Sequence, residues 1–258
     1  MPKFAANITM LFTEHPFIER IAVAKKSGFK AIECLFPYEY DAKHIANALS
    51  QNHMTQVLFN LPAGNWTSGD RGIAAIPDKE DEFLKSVEQA FKYAKALKCN
   101  QLHVMSGLVS EGANIDTYKK NIAMIAPRAN TLGLNLMIEP LNHRDVPNYL
   151  ISRTEDAVKI ITELGFNNVK LQFDIYHRQI MQGDVISALR KYLPLIGHIQ
   201  IAASPDRHEP DTGELDYPTI FKEIDVLDYE GWIGCEYNPK TTTFDGLDWL
   251  SPYQGPSL

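Results

Sequence analysis

Leu134-Asn-Leu-Met-Ile-Glu-Pro-Leu-Asn142 is a short apolar run that ends in a carboxylate and is then stopped by a proline. A run this brief, with Pro140 closing it, reads as a buried strand rather than a helix. Glu139 at its carboxyl end is costly unless something pairs with it. Three later stretches repeat the arrangement: Val169-Lys-Leu-Gln-Phe-Asp174, Ile196-Gly-His-Ile-Gln200 and Gly231-Trp-Ile-Gly-Cys-Glu236. Each delivers an oxygen-bearing side chain to the end of an apolar run, and four such ends suggest one metal ion.

Outward from this stretch, short apolar runs alternate with longer amphipathic ones, the pattern of βαβ units. Strands are expected at Phe4 to Met10, Ala31 to Phe36, Thr55 to Leu61, Gln101 to Ser106, Leu134 to Glu139, Val169 to Asp174, Ile196 to Ala202 and Trp232 to Tyr237. Helices are expected at Pro16 to Lys26, Asp41 to Gln51, Glu80 to Leu97, Asp116 to Thr131, Thr154 to Leu164, Asp184 to Tyr192 and Tyr217 to Leu227. Gly28, Gly133 and Gly165 supply stop signals after three of them. Eight strand-helix units in 258 residues point to a closed (β/α)8 TIM barrel, for which roughly 250 residues is usual. A doubly wound open sheet is the alternative, but it normally has fewer strands and a glycine-rich nucleotide turn. No linker or composition shift divides the chain, so 1–258 reads as a single domain.

Strand parity aims the candidate residues. Successive side chains face opposite sides, so Val169, Leu171, Phe173 and Ile175 share the helix-facing side, leaving Gln172 and Asp174 on the other. By the same count His198, Gln200, Glu236 and Glu139 point into the barrel, together with Asn7, Glu33, Asn60 and His103. Barrel enzymes carry their chemistry at the carboxyl ends of the strands. The long connection from Pro62 to Pro77 reads as a lid over that end, with Trp66 and Arg71 on it. The tail Ser251 to Leu258 suggests no role.

Composition narrows the function. Hydrophobic content is 45% and charged content 22%, ordinary for a globular protein, and no apolar run approaches the roughly 18 residues of a membrane span. A net charge of −7 without a basic stripe argues against a nucleic-acid partner. Cys34, Cys99 and Cys235 are scattered without metal spacing and suit a reducing compartment, so a cytoplasmic protein is expected. Neither GxGxxG nor GxxxxGK[ST] occurs, so no nucleotide cofactor is implied. A homo-oligomer is possible, since exposed helices of such barrels often pair, but no stretch specifies one.

Two Glu, one Asp and one Gln offer oxygen alone, which favours a hard ion, Mg²⁺ or Mn²⁺, over Zn²⁺. Such an ion can bind the two oxygens of an α-hydroxy carbonyl compound and stabilise its enediolate. One Glu can then remove a proton and the other return it. A Schiff-base aldolase would need an inward Lys at the carboxyl end, whereas Lys170 sits at the start of its strand. A DNA-repair endonuclease on the same barrel would want a basic surface. A non-catalytic binding protein is the third rival.

Ile138-Glu-Pro-Leu-Asn142, Phe173-Asp-Ile-Tyr-His177, His198-Ile-Gln200 and Gly234-Cys-Glu-Tyr-Asn-Pro239 together resemble the hydroxypyruvate isomerase family of xylose-isomerase-like TIM barrels, nearest its 2-oxo-tetronate isomerase branch. The resemblance runs end to end and includes Gly69-Asp-Arg-Gly72, Arg207-His-Glu-Pro210 and Gly213-Glu-Leu-Asp-Tyr217. It implies an aldose-ketose type isomerase of a small hydroxy-carbonyl acid, and the lack of a glycine-rich turn after the seventh or eighth strand favours an unphosphorylated one. It also implies that Glu139, Asp174, Gln200 and Glu236 bind the metal, that Glu139 and Glu236 are the catalytic proton carriers, and that His177 and Arg207 contact substrate. A ketose epimerase using the same two-Glu site is the remaining alternative.

Overall fold

The computed structural model describes residues 1–254, so the last part of the tail, 255–258, lies outside it. Eight parallel strands pair in chain order and close on themselves through β1 and β8. They are β1 (Lys3–Asn7), β2 (Ala31–Glu33), β3 (Thr55–Asn60), β4 (Gln101–His103), β5 (Asn135–Ile138), β6 (Val169–Asp174), β7 (Ile196–Ile201) and β8 (Trp232–Cys235). Around them lie α1 (Glu19–Lys26), α2 (Ala42–Gln51), α3 (Glu80–Leu97), α4 (Ile115–Thr131), α5 (Thr154–Leu164), α6 (Ile175–Met181), α7 (Val185–Tyr192) and α8 (Tyr217–Val226). The (β/α)8 expectation holds.

The helices form because their apolar residues recur every three or four positions and so share one face. In α3 the buried set Phe83, Val87, Ala90, Ala94 and Leu97 follows this spacing. Ends are marked locally: the Asp41 side chain accepts from the Lys43 and His44 amides at the start of α2, and Gly165, at φ 67°, closes α5. The outer faces of the strands, such as Leu171, Phe173, Ile199, Ile201 and Ile233, join this core between sheet and helices.

Inside the barrel the two ends differ. Ala5, Ala31, Val57, Leu58 and Met137 form a separate apolar cluster with Trp232 packed on it, filling the amino-terminal end. Buried polar side chains occupy the other end. This asymmetry places the chemistry where the strands finish.

Most strands end earlier than their apolar runs, because each chain turns outward at the mouth to begin its loop. Glu139 and Glu236 therefore sit one residue past β5 and β8, but still on inward parity. Ile175 departs from the expectation: it is the first residue of α6, a short helix that the sequence pattern did not announce. Asp174 causes the switch, its Oδ1 accepting from the amides of Tyr176 at 2.7 Å and His177 at 3.2 Å as an N-cap. The tail also does more than expected, since Tyr253 packs edge-on against Phe4 at 5.6 Å and Gln254 donates to the Ser27 carbonyl at 2.9 Å.

The Pro62 to Pro77 connection is packed into the protein along its second half and exposed around Asn65 to Ser68. Ala75 donates to the Ser106 carbonyl at 2.9 Å, the Asn121 amide donates to that of Ala74 at 2.8 Å, and residues Gly72 to Ile76 are buried. A Cβ on Gly72, at φ 111°, would overlap the Met105 carbonyl, so glycine alone permits this contact with the next loop. The tip, Asn65 to Ser68, is exposed. There Arg71 lies 3.9 Å over the Trp66 ring, which leans on Phe36 at 5.1 Å.

Candidate active site

The barrel mouth holds two linked polar clusters. The first is built on β5, β6 and α6. Glu139 Oε1 and Asp174 Oδ2 are both buried, and among the described residues neither has a hydrogen-bond partner. Glu139, Asp174 and His177 each bring one ligand-type atom within 4.8 Å of the others. His177 Nε2 lies 3.7 Å from Asp174 Oδ2 and 3.9 Å from Glu139 Oε1. His103 Nδ1, from β4, is 3.2 Å from Glu139 Oε2, though off the hydrogen-bonding line.

The His177 tautomer follows from its other nitrogen. Nδ1 receives the backbone N–H of Asn142 at 3.1 Å and its side-chain Nδ2 at 2.7 Å, so Nδ1 is an acceptor. In the neutral ring the hydrogen therefore sits on Nε2, facing the two carboxylates. Burial, then Arg207 and His103, pushes the His177 pKa well below its ordinary value, which keeps the ring neutral. Burial likewise pushes His103 down to about 3. Both rings are therefore neutral, and among the described residues neither nitrogen of His103 has a hydrogen-bond partner.

The second cluster is built on β1, β2, β7 and β8. Glu236 Oε1 accepts from Arg207 at 2.8 Å, and its Oε2 accepts from Asn7 at 3.1 Å and from the Gln200 amide. Gln200 Oε1 in turn accepts from Gln172 Nε2 at 2.6 Å. Arg207 also reaches Asp145 at 3.2 Å and lies 5.0 Å over Tyr176, while its Nε–H is buried and unpaired. Asp145 is held between Arg207 and the Tyr176 hydroxyl, which donates to it at 3.1 Å.

Packing several carboxylates into so dry a space raises their proton affinity. Burial, followed by the charges of Glu236 and Asp174, pushes Glu139 well above the usual carboxylate range. Burial pushes Asp174 up to about 6, against the pull of Arg207 and its two backbone donors. Glu236 rises to about 8, again chiefly from burial, with Arg207 opposing. Arg207 itself is held above its ordinary value by Glu236, Asp174, Asp145 and Glu139, although burial works against its charge.

Every residue singled out from the sequence therefore stands at one end of one barrel. Glu139, Asp174 and His177 form one group, Gln200, Glu236 and Arg207 the adjoining one. Oxygens of Glu139 and Asp174 are free, whereas those of Glu236 and Gln200 are already engaged by protein donors. Arg71 is not drawn into either group: its NH1 donates to the carbonyls of Asp70 at 2.8 Å and Trp66 at 3.3 Å. Sequence reading gave no role to Asn142 or Asp145. Asn142 lies within the quoted decisive stretch, yet it is a loop residue and follows no periodicity that could expose it.

The chain matches the family described as the xylose isomerase-like TIM barrel over residues 21–253. A 2-oxo-tetronate isomerase from Cupriavidus necator is 46% identical over 259 residues, covering 99% of this chain and 100% of that one. A hydroxypyruvate isomerase from Escherichia coli is 41% identical, covering 98% and 100%. Among solved structures, a Brucella melitensis protein described as an AP endonuclease of family 2 is 45% identical, covers 98% of this chain and 100% of that one, and superposes with a TM-score of 0.96.

Proposed function

The chain belongs to the xylose isomerase-like TIM barrel family and is an isomerase of the 2-oxo-tetronate and hydroxypyruvate group; from that premise we propose that Glu139 and Glu236 carry the transferred proton beside a divalent ion held by Glu139, Asp174, Gln200 and Glu236. One observation carries the metal reading. Glu139 Oε1 and Asp174 Oδ2 are buried carboxylate oxygens without a hydrogen-bond partner among the described residues, and holding both groups ionised there costs several kcal/mol per ion unless a cation balances them. The donors are carboxylate and amide oxygens, which suit Mg²⁺ or Mn²⁺. Gln200 Oε1 keeps a second lone pair beyond its bond from Gln172. His177 lies within reach, but its Nε2 carries the hydrogen, so it serves as a donor and not as a ligand.

When bound, the ion supplies positive charge next to the substrate oxygens, where negative charge develops. The chain does the rest. One glutamate removes the proton from the hydroxyl-bearing carbon and the other delivers a proton to the neighbouring carbonyl carbon, while the hydroxyl proton passes to the former carbonyl oxygen. Burial raises both proton affinities in the metal-free site; ligation would keep both glutamates ionised and limit their basicity, so acidification of the substrate by the ion has to make up the difference. His177 Nε2–H donates to a substrate oxygen. The unpaired Nε–H of Arg207 donates to the substrate carboxylate, the one group that hydroxypyruvate and 2-oxo-tetronate share beyond the reacting carbons.

The substrate is thus a three- or four-carbon unphosphorylated oxo-hydroxy acid. The description of the Brucella melitensis protein as an endonuclease does not extend to this chain, whose net charge of −7 opposes a phosphate backbone. Among the described residues no helix is long and apolar enough to cross a membrane, and three unpaired buried cysteines fit the reducing cytoplasm. The test is proton NMR in D₂O with a panel of three- to six-carbon hydroxy-carbonyl acids and sugars. Deuterium should enter at the former carbonyl carbon of an acid, with Glu139→Gln and Glu236→Gln each reducing exchange by at least about 10²-fold. Deuterium at a single inverted carbon of a sugar would make the protein an epimerase, and undiminished exchange in either variant would remove that glutamate from the mechanism.

A further inference from the structure

Beneath the catalytic layer lies a carboxylate that the mechanism does not use. Glu33 is fully buried at the end of β2. Its Oε1 accepts from Gln200 Nε2 at 2.8 Å and Asn7 Nδ2 at 3.1 Å, and its Oε2 lies 2.6 Å from His198 Nε2. Two backbone features make room for it. The β2–β3 register shifts between Ile32 and Glu33, a local irregularity of the kind that re-aims a side chain beside a site. On the facing strand Gly234 lies so close that any Cβ there would overlap the Glu33 carboxylate.

An amide side chain has two nearly isosteric ends, and only its oxygen can bind a metal. The two ends of Gln200 are distinguished by their neighbours. Glu33 and Glu236 can only accept when ionised, and both receive Gln200 Nε2. With the nitrogen held between them, the oxygen must face the opposite way, towards Gln172 and the Asp174 strand. Glu236 alone is a poor anchor, since it is itself shared by Arg207 and Asn7 and belongs to the reacting pair. Glu33 is also shared, by Asn7 and His198, but it takes no part in the proton transfer.

We infer that Glu33 is a positioning residue for Gln200: it locks the amide with its oxygen presented to the ion and its nitrogen bridging to Glu236, so that ligand and proton carrier are set by one buried anchor. This rests on the reading of Gln200 as a metal ligand. Because Glu33 acts through Gln200, its removal affects metal affinity first, and losses of about 10- to 100-fold are usual when a partner of a metal ligand is replaced.

The experiment is a Mn²⁺ titration of the purified protein, followed by electron paramagnetic resonance of the free ion. Glu33→Gln should weaken Mn²⁺ binding about 10- to 100-fold. In a Gln200→Ala background the same substitution should change the dissociation constant by less than about two-fold, because the group it acts on is gone. Wild-type affinity in Glu33→Gln, or an equal further loss in the Gln200→Ala background, would overturn the inference while leaving the metal reading intact. Absence of Mn²⁺ binding to the wild-type protein would overturn the metal reading itself. If Glu33→Gln does not fold, a crystal structure of the wild-type protein with Mn²⁺ decides. Gln200 Oε1 on the ion with Nε2 on Glu33 supports the inference, and Glu33 on the ion, or Gln200 off it, overturns it.

Discussion

Replacing Asp174 with Asn should stabilise the metal-free protein while abolishing its response to metal. Asp174 has two separable duties. Its Oδ1 caps α6 through the Tyr176 and His177 amides, a task that an Asn oxygen performs equally well. Its Oδ2 is buried without a partner. The folded protein raises the carboxyl pKa from 3.8 to about 6, mainly through burial, which means that the fold disfavours the charged form. A raised carboxyl pKa contributes stability that is complete below about 3.8 and is lost as pH climbs through about 6. At 1.36 kcal/mol for each tenfold change in proton affinity, the interval amounts to about 3 kcal/mol lost above that range. Asn at this position cannot ionise and escapes the loss, and its Nδ2 can donate to Glu139 Oε1 nearby. In EDTA at pH 8, Asp174→Asn should therefore exceed wild type by up to about 3 kcal/mol, or roughly 6–12 °C in Tm for a chain of this size. Near pH 4 the two proteins should differ little. Added Mn²⁺ should raise the wild-type Tm and leave the variant unmoved. Urea denaturation at the two pH values, with and without Mn²⁺, reads all of this. A variant that is less stable than wild type in EDTA at pH 8 would show that the carboxylate is held by protein groups and not kept for an ion, and would refute the reasoning.

Exhaustive chelation should abolish turnover, and Mg²⁺ or Mn²⁺ should restore it; at 100 times its dissociation constant the ion should add about 2.7 kcal/mol of stability, seen as a shift in Tm. Full activity after chelation would exclude the metal from the mechanism. Asn142→Ala removes one of two donors that fix the His177 tautomer and should lower kcat/KM about ten-fold, the worth of one buried hydrogen bond to an active-site group. Mn²⁺ affinity should stay within about two-fold, and a parallel loss of metal binding would make His177 a ligand. Gly72→Ala forces a Cβ into the Met105 carbonyl at a positive φ and should cost at least about 1–3 kcal/mol. Unchanged stability by urea denaturation would show that the loop can shift freely.

The sequence by itself determined the number of strands, their order, and which side chains face inward. These depend on short-range periodicity, two residues in a strand and three or four in a helix, and Val169 to Asp174, Glu80 to Leu97 and Thr154 to Leu164 form over the bounds the pattern predicts. It also placed Glu139, Asp174, Gln200 and Glu236 at the strand ends, because an acid or amide after an apolar run violates the local pattern. It missed α6, since a helix that begins directly after the last residue of a strand leaves the strand's alternation unbroken up to its cap. Tertiary structure alone decided what each group touches. Asn7 meets Glu236 across 229 positions of chain and Glu33 meets His198 across 165, contacts created when β8 closes on β1. No local periodicity encodes such distances, and so the division of the mouth into free oxygens on Glu139 and Asp174 and anchored ones on Glu236 and Gln200 became visible only in the closed barrel.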